Sequence, residues 1–224
     1  MIILGEDACN PNLFVGATGS APAPTPSIPT TLGSRIDNKA TVVGVLQDHE
    51  GNDYVLAVVD AAYRSGEAMA WGTNGVDTPL PNDDDSTKAL ADHHTGKYNT
   101  DLILSTYTAT DYPAFNFARN ACTVSIGGNT YYSVLPSARE LKLLWDNKDI
   151  LDQYDPTLNE YPDRSISDFS CGTSSYTQPG LLSSNESSQW ITISIKCNYP
   201  GYVTTVNKDL NYYGVCPVIC ISLI

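Results

Sequence analysis

Ser137-Ala138-Arg139-Glu140-Leu141-Lys142-Leu143-Leu144-Trp145-Asp146-Asn147 is the stretch that decides the fold class. Ser137 and Glu140 have the spacing of a capping box. In that motif the hydroxyl accepts from the backbone N–H three positions on, and the carboxylate reaches back to the N–H of the cap. Ala138, Leu141, Leu144 and Trp145 then recur at helical spacing and make one apolar stripe. Asn147-Lys148 marks a stop. A helix with one apolar stripe needs a surface to bury it against, and the flanking sequence supplies one.

Upstream, Thr41-Val42-Val43-Gly44-Val45-Leu46 and Tyr54-Val55-Leu56-Ala57-Val58-Val59 are β-rich runs. They flank the turn cluster Gln47-Asp48-His49-Glu50-Gly51-Asn52-Asp53, which predicts a β-hairpin. Residues 65–99 read as a long polar loop, rich in turn pairs such as Asn74-Gly75. Another helix is expected from Asp111-Tyr112-Pro113, a capping Asp and an early Pro, with Ala114, Phe117, Ala118 and Ala121 on one face. Downstream, Trp190-Ile191-Thr192-Ile193-Ser194-Ile195-Lys196 alternates between branched apolar and polar residues. Residues 215–223 make a last, mostly apolar strand. The order is hairpin, long loops, two helices, then strands. That is α+β, with two helices against an antiparallel β-sheet. Trp145 and Trp190 are both expected in the core.

The chain has 224 residues, enough for one domain with an arm. Ala21-Pro22-Ala23-Pro24-Thr25-Pro26 and Ser27-Ile28-Pro29 give residues 1–33 the composition of an extended arm or linker, leaving 34–224 as the domain. Twelve Lys and Arg against 25 Asp and Glu leave a net charge of −13. That balance argues against nucleic acid as a partner, since phosphate affinity rests on clustered cations, and against an anionic membrane surface. The longest apolar run is shorter than the roughly 20 residues that cross a bilayer, so no membrane insertion is expected. Gly5-Glu6-Asp7 directly after Met1-Ile2-Ile3-Leu4 is unlike a secretory signal. The six cysteines have no metal-ligand spacing and read as free thiols.

Three ordered motifs carry a family resemblance. Tyr131-Tyr132-Ser133-Val134-Leu135-Pro136-Ser137-Ala138-Arg139-Glu140-Leu141 resembles the W-x-L-P-S-x-x-E-L segment of domains of the DUF1566 or Lcl type. Leu182-Ser183-Ser184-Asn185-Glu186 with Trp190 resembles their W-S-S-T-E … A-W, and Asn207-Lys208 with Tyr213-Gly214-Val215-Cys216-Pro217-Val218 resembles their N-K … V-R-P-V. Cys216 stands where Arg is usual. The resemblance implies a C-type-lectin-like fold, related to formylglycine-generating enzymes. It also implies kinship with the variable proteins of diversity-generating retroelements, found at phage tail tips and on bacterial surfaces.

The expected function is therefore non-enzymatic binding of a cell-surface protein or glycan receptor. The setting is a virion tail fibre or an extracellular surface, either as a homotrimer or attached to a larger assembly. A bacterial surface adhesin is the alternative, and an oxidase-like enzyme resting on Cys216 and Cys220 the third. Tyr beside Ser, Gly and Asn is the composition of antibody paratopes. The expected binding face takes Ser184, Asn185, Ser187 and Ser188 from the first polar run, and Ile191 and Ile193 from the strand. Asn198, Tyr199 and Tyr202 follow, and then Asn207, Asp209, Asn211, Tyr212 and Tyr213. Composition turns the isoleucines of the 190–196 strand inward; the family pattern instead makes Thr192 and Ser194 the inward pair. No catalytic residue, cofactor or metal is expected. Asp83-Asp84-Asp85 reads as a solvated loop rather than a calcium site. His93 and His94 are adjacent, so they point apart and do not chelate one ion by themselves.

Overall fold

The computed structural model describes residues 27–167, 180–196, 202–211 and 213–223. The chain runs β1 (Arg35–Ile36), β2 (Ala40–Gln47), β3 (Asp53–Val59), α1 (Ser86–Ala91), α2 (Gly96–Thr106), α3 (Pro113–Ala121), β4 (Thr123–Ile126), β5 (Asn129–Tyr132), α4 (Ala138–Asp146), α5 (Lys148–Gln153), β6 (Gly180–Ser188), β7 (Ile191–Lys196), β8 (Tyr202–Asn207) and β9 (Val218–Ser222). This is α+β with antiparallel sheets. One sheet has the order β1-β2-β3-β9, a second β6-β7-β8, and β4-β5 is a separate hairpin.

The β3 sequence is apolar without a break because both its faces are buried. Leu56 and Val58 point to one side, where they meet Leu141, Leu144 and Trp145 of α4 together with Ile193 and Ile195 of β7. Val55, Ala57 and Val59 point to the other, against Ile219 and Ile221 of β9 and Val124 of β4. This is the period-two alternation of a strand, buried twice over. Val42 pairs with Ala57 and Gly44 with Leu56, so Val43 is an extra residue in a β-bulge.

The capping box of α4 is formed. Ser137 Oγ accepts from Glu140 N, and Glu140 Oε2 accepts from Ser137 N at 2.8 Å. Glu140 does more than cap. It is fully buried, and it also accepts from Tyr54 Oη at 2.8 Å and from Gly96 N at 3.0 Å. One carboxylate thus ties α4 to β3 and to the start of α2. A Cβ on Gly96 would lie 2.2 Å from the Leu135 carbonyl oxygen, so this approach needs glycine.

Several expectations are corrected. Residues 65–99 hold α1 and the first turn of α2, and five helices stand among the described residues where two were expected. Asp111 does not cap α3: Tyr112 holds that position without a side-chain cap bond, while the Asp111 carboxylate accepts from the Thr108 hydroxyl at 2.5 Å. Phe115, absent from the expected stripe, is fully buried. The arm boundary at 33 falls too late. Ile28 and Leu32 pack against the core clusters, and Gly33 N donates to the Val42 carbonyl at 3.0 Å.

Candidate ligand-binding face

The polar run of β6 goes inward. Residues Ser183 to Ser187 are all buried, because two register shifts against β7 turn successive side chains into the protein. Each finds a partner there, as buried polar groups must. Ser184 Oγ accepts from Asn99 Nδ2 at 3.0 Å. Asn185 Oδ1 accepts from Ala138 N at 2.6 Å, and its Nδ2 donates to Asp83 at 2.7 Å and Asp92 at 3.1 Å. Ser187 Oγ donates to the Asp84 carbonyl at 3.4 Å.

Glu186 and Lys208 are the centre of this interior. Both side chains are fully buried and paired with each other. Glu186 also accepts from Thr78 N at 3.2 Å and from the Thr78 hydroxyl. Lys208 Nζ donates to the Val76 carbonyl at 2.8 Å and lies 4.9 Å from the centre of the Trp71 ring. Burial pushes the Lys208 amine below its ordinary pKa, and the bond to Glu186 opposes that. The backbone follows the same point. The Lys208 carbonyl accepts from Trp71 N at 2.9 Å and Gly72 N at 3.2 Å, and Lys208 N donates to the Trp190 carbonyl at 3.1 Å. Loop 71–78, β6 and the 207–209 turn are thus clamped together.

Above this clamp lies a surface ledge. Trp190 is 51% exposed, which corrects its expected place in the core. Its ring rests on Gly75, where a Cβ would come within 2.9 Å of the indole and where φ is +79°. Gly75 N donates to the Gln189 carbonyl at 2.9 Å. Half-buried Ile191 stands opposite exposed Asn207 in the β7–β8 register, and exposed Gln189 and Asp209 adjoin them along the chain. The seat is rigid, and the chemistry it presents is one indole among amides and a carboxylate.

The expected site residues therefore divide. Ser188, Ile191, Asn207 and Asp209 belong to the ledge or its rim, and Asn211 is exposed further along the chain. Tyr202 is 61% exposed but pairs with Lys196, at the opposite end of β8 from Asn207. Ser184, Asn185 and Ser187 are buried by the partners above. Ile193 is fully buried in the main core and Tyr213 is 5% exposed in the cluster around Trp71. These five cannot line an exposed face. Asn198, Tyr199 and Tyr212 lie outside the described residues. The question of which side of β7 faces out has neither answer: Thr192, Ile193, Ser194 and Ile195 are all buried.

Trp190 was the residue that sequence reasoning missed. Strand parity holds no signal for it, since Trp190 stands in the turn before β7 and both Thr192 and Ser194, at its parity, are buried. The acidic run is a loop whose Asp84 and Asp85 are exposed, as expected, while Asp83 departs by being buried. Asp85 caps α1 by accepting from Thr87 N and Lys88 N, and Asp84 pairs with Lys88. Cys122, Cys216 and Cys220 are free and buried, and burial pushes Cys122 and Cys216 up to about 11. Such thiols stay protonated and serve as packing. Among known proteins, no family, no curated sequence and no solved structure matches the chain.

Proposed function

We propose that this chain is a non-enzymatic recognition module that binds a cell-surface protein or glycan through the ledge around Trp190. The observation that carries the reading is a half-exposed indole seated on Gly75 above a fully buried ion pair. A large apolar ring held rigidly in water, with amides on its rim, is the composition of an interface hot spot: much contact area with little entropy to lose on binding. The clamp beneath explains how Asn207 and Asp209 are presented, since Lys208 between them is anchored inside.

The finer fold is part of the same proposal. Its support is the three ordered motifs, together with the antiparallel pairing of the last strand β9 with β3 and the packing of the capped α4 against both larger sheets. A phage tail-fibre tip or an anchored bacterial adhesin would present the same ledge.

The test is attachment of the fluorescently labelled chain to intact bacterial cells, comparing wild type with Trp190→Ala. Attachment should weaken about 30-fold, the equivalent of roughly 2 kcal/mol. The thermal midpoint should hold, since half of the indole is already in water. Undiminished attachment by the variant would place recognition elsewhere on the molecule.

A further inference from the structure

The β2–β3 turn and the segment before α2 bring together two imidazoles from distant parts of the chain. The rings of His49 and His94 are stacked, with centres 4.4 Å apart and planes inclined by 26°, so one ring must turn for both in-plane lone pairs to reach one ion. Tyr98 closes the group, 4.7 Å from His94 and 5.0 Å from His49. The second histidine is oriented from behind. His94 Nδ1 lies 2.6 Å from Asp92 Oδ1, and the other oxygen of Asp92 accepts from buried Asn185. Asn185 is itself fixed by the first N–H of α4. Asp92 is thereby braced, and Nδ1 is committed to it. The free acceptor of His94 is Nε2.

A carboxylate on the far nitrogen of an imidazole, itself hydrogen-bonded in turn, is how proteins prepare histidine as a metal ligand. His49 supplies a second imidazole, and Glu50 Oε1 lies 4.0 Å from its Nε2. Asp48 is not available, because its carboxylate is bonded to the N–H groups of Glu50 and Asn52 in the turn. An open groove of about 450 Å³ is lined by His49, Glu50 and Tyr98 among others, with His94 half-buried at its edge and not part of the lining.

We propose that His49 and His94 form a surface site for a divalent first-row transition metal, with Glu50 as the oxygen ligand within reach. Neutral imidazole nitrogen suits Zn²⁺, Ni²⁺ and Cu²⁺, whereas Ca²⁺ and Mg²⁺ need shells of oxygen. No preassembled group of three or more His, Cys, Asp or Glu ligands stands among the described residues. Water therefore completes the coordination, and side chains of the exposed turn move toward the metal. Bound metal would tie the β2–β3 turn to α2. His93 is exposed and is not a member of the ring group formed by His49, His94 and Tyr98.

The full chain is titrated with Zn²⁺ and Ni²⁺ by calorimetry, with the thermal midpoint followed in parallel. One saturable site per chain, a raised midpoint, and reversal by chelator are expected. His49→Ala and His94→Ala should each weaken Zn²⁺ by at least about tenfold, and Asp92→Asn by about 10–100-fold, while His93→Ala leaves binding unchanged. Millimolar Ca²⁺ should not compete. The proposal is overturned if His49→Ala binds as wild type, if His93→Ala abolishes binding, if Ca²⁺ displaces Zn²⁺, or if no saturable binding is seen. Electron paramagnetic resonance of the Cu²⁺-loaded wild type decides independently of any variant's folding: coupling to two imidazole nitrogens supports the site, and coupling to one overturns it.

Discussion

Lys208 carries the ledge through one amine. Its Nζ is held by Glu186, the Val76 carbonyl and the Trp71 ring, and the Lys208 and Glu186 side chains are both fully buried. Removing one half of such a pair leaves a charge with nowhere to go, at a cost of about 3–5 kcal/mol. Lys208→Met should therefore lower stability by about that amount in chemical denaturation. Adding Glu186→Gln should restore part of the loss, because the uncompensated charge is gone; a double variant as unstable as the sum of the singles would mean the two residues act independently. Asp83 makes a residue-scale prediction of another kind. Burial raises its carboxyl from the ordinary 3.8 to about 6, against the opposing hydrogen bond from Asn185. The folded chain thus holds this proton more tightly than the unfolded chain does. The stability contributed by the group is complete below about pH 4 and is lost as pH rises through 6. Asp83→Asn keeps an acceptor for Asn185 and cannot ionise. The stability difference between variant and wild type, measured by denaturation at several pH values, should therefore move in the variant's favour as pH rises across that window.

At the scale of the element, α4 and α2 show what makes a helix readable. The α4 sequence carries a capping box and an unbroken stripe, and both are realised. Leu141→Ala removes a fully buried side chain from the seam between α4 and the sheets, and should cost about 2–5 kcal/mol in the unfolding free energy. A loss under 1 kcal/mol would show that the seam can collapse around the gap. By contrast α2 buries Gly96, Asn99, Thr100 and Ile103, of which only Ile103 is strongly apolar. No periodic stripe marks it. The small and polar residues are what its place demands, since Asn99 bonds to Ser184, Thr100 Oγ1 accepts from Leu135 N, and Gly96 abuts Glu140. A helix buried through hydrogen bonds reads as loop until its partners are known.

At the scale of the molecule, the Pro-rich arm ends inside the domain. Ile28 and Leu32 pack on two different core clusters, and Gly33 lies against the Tyr154 ring. A truncation beginning at Ser27 should keep the wild-type thermal midpoint, whereas one beginning at Ser34 should lower it by several degrees, about what a loss of 1–2 kcal/mol does to a chain of this size. Equal midpoints would mean that the two side chains only rest on the surface.

The hairpin of β2 and β3, the α4 helix, strands β7 and β9 and the α+β class follow from local sequence alone, whereas β6 and β8 do not. Alternation, capping and turn chemistry are read over a few neighbouring residues, and they do not depend on what lies across the core. The sides of β6 and β7, the exposure of Trp190 and the meeting of His49 with His94 were decided only in three dimensions. Ser184, Asn185 and Glu186 look like surface because they are polar. They are interior because Asn99, Ala138, Asp83, Thr78 and Lys208, all remote in sequence, complete their hydrogen bonds. Trp190 looks like core because it is apolar. It stands at the surface because the positions beneath it were filled by an ion pair and a glycine. Polarity states what a side chain needs, and the tertiary structure decides whether water or another part of the chain supplies it.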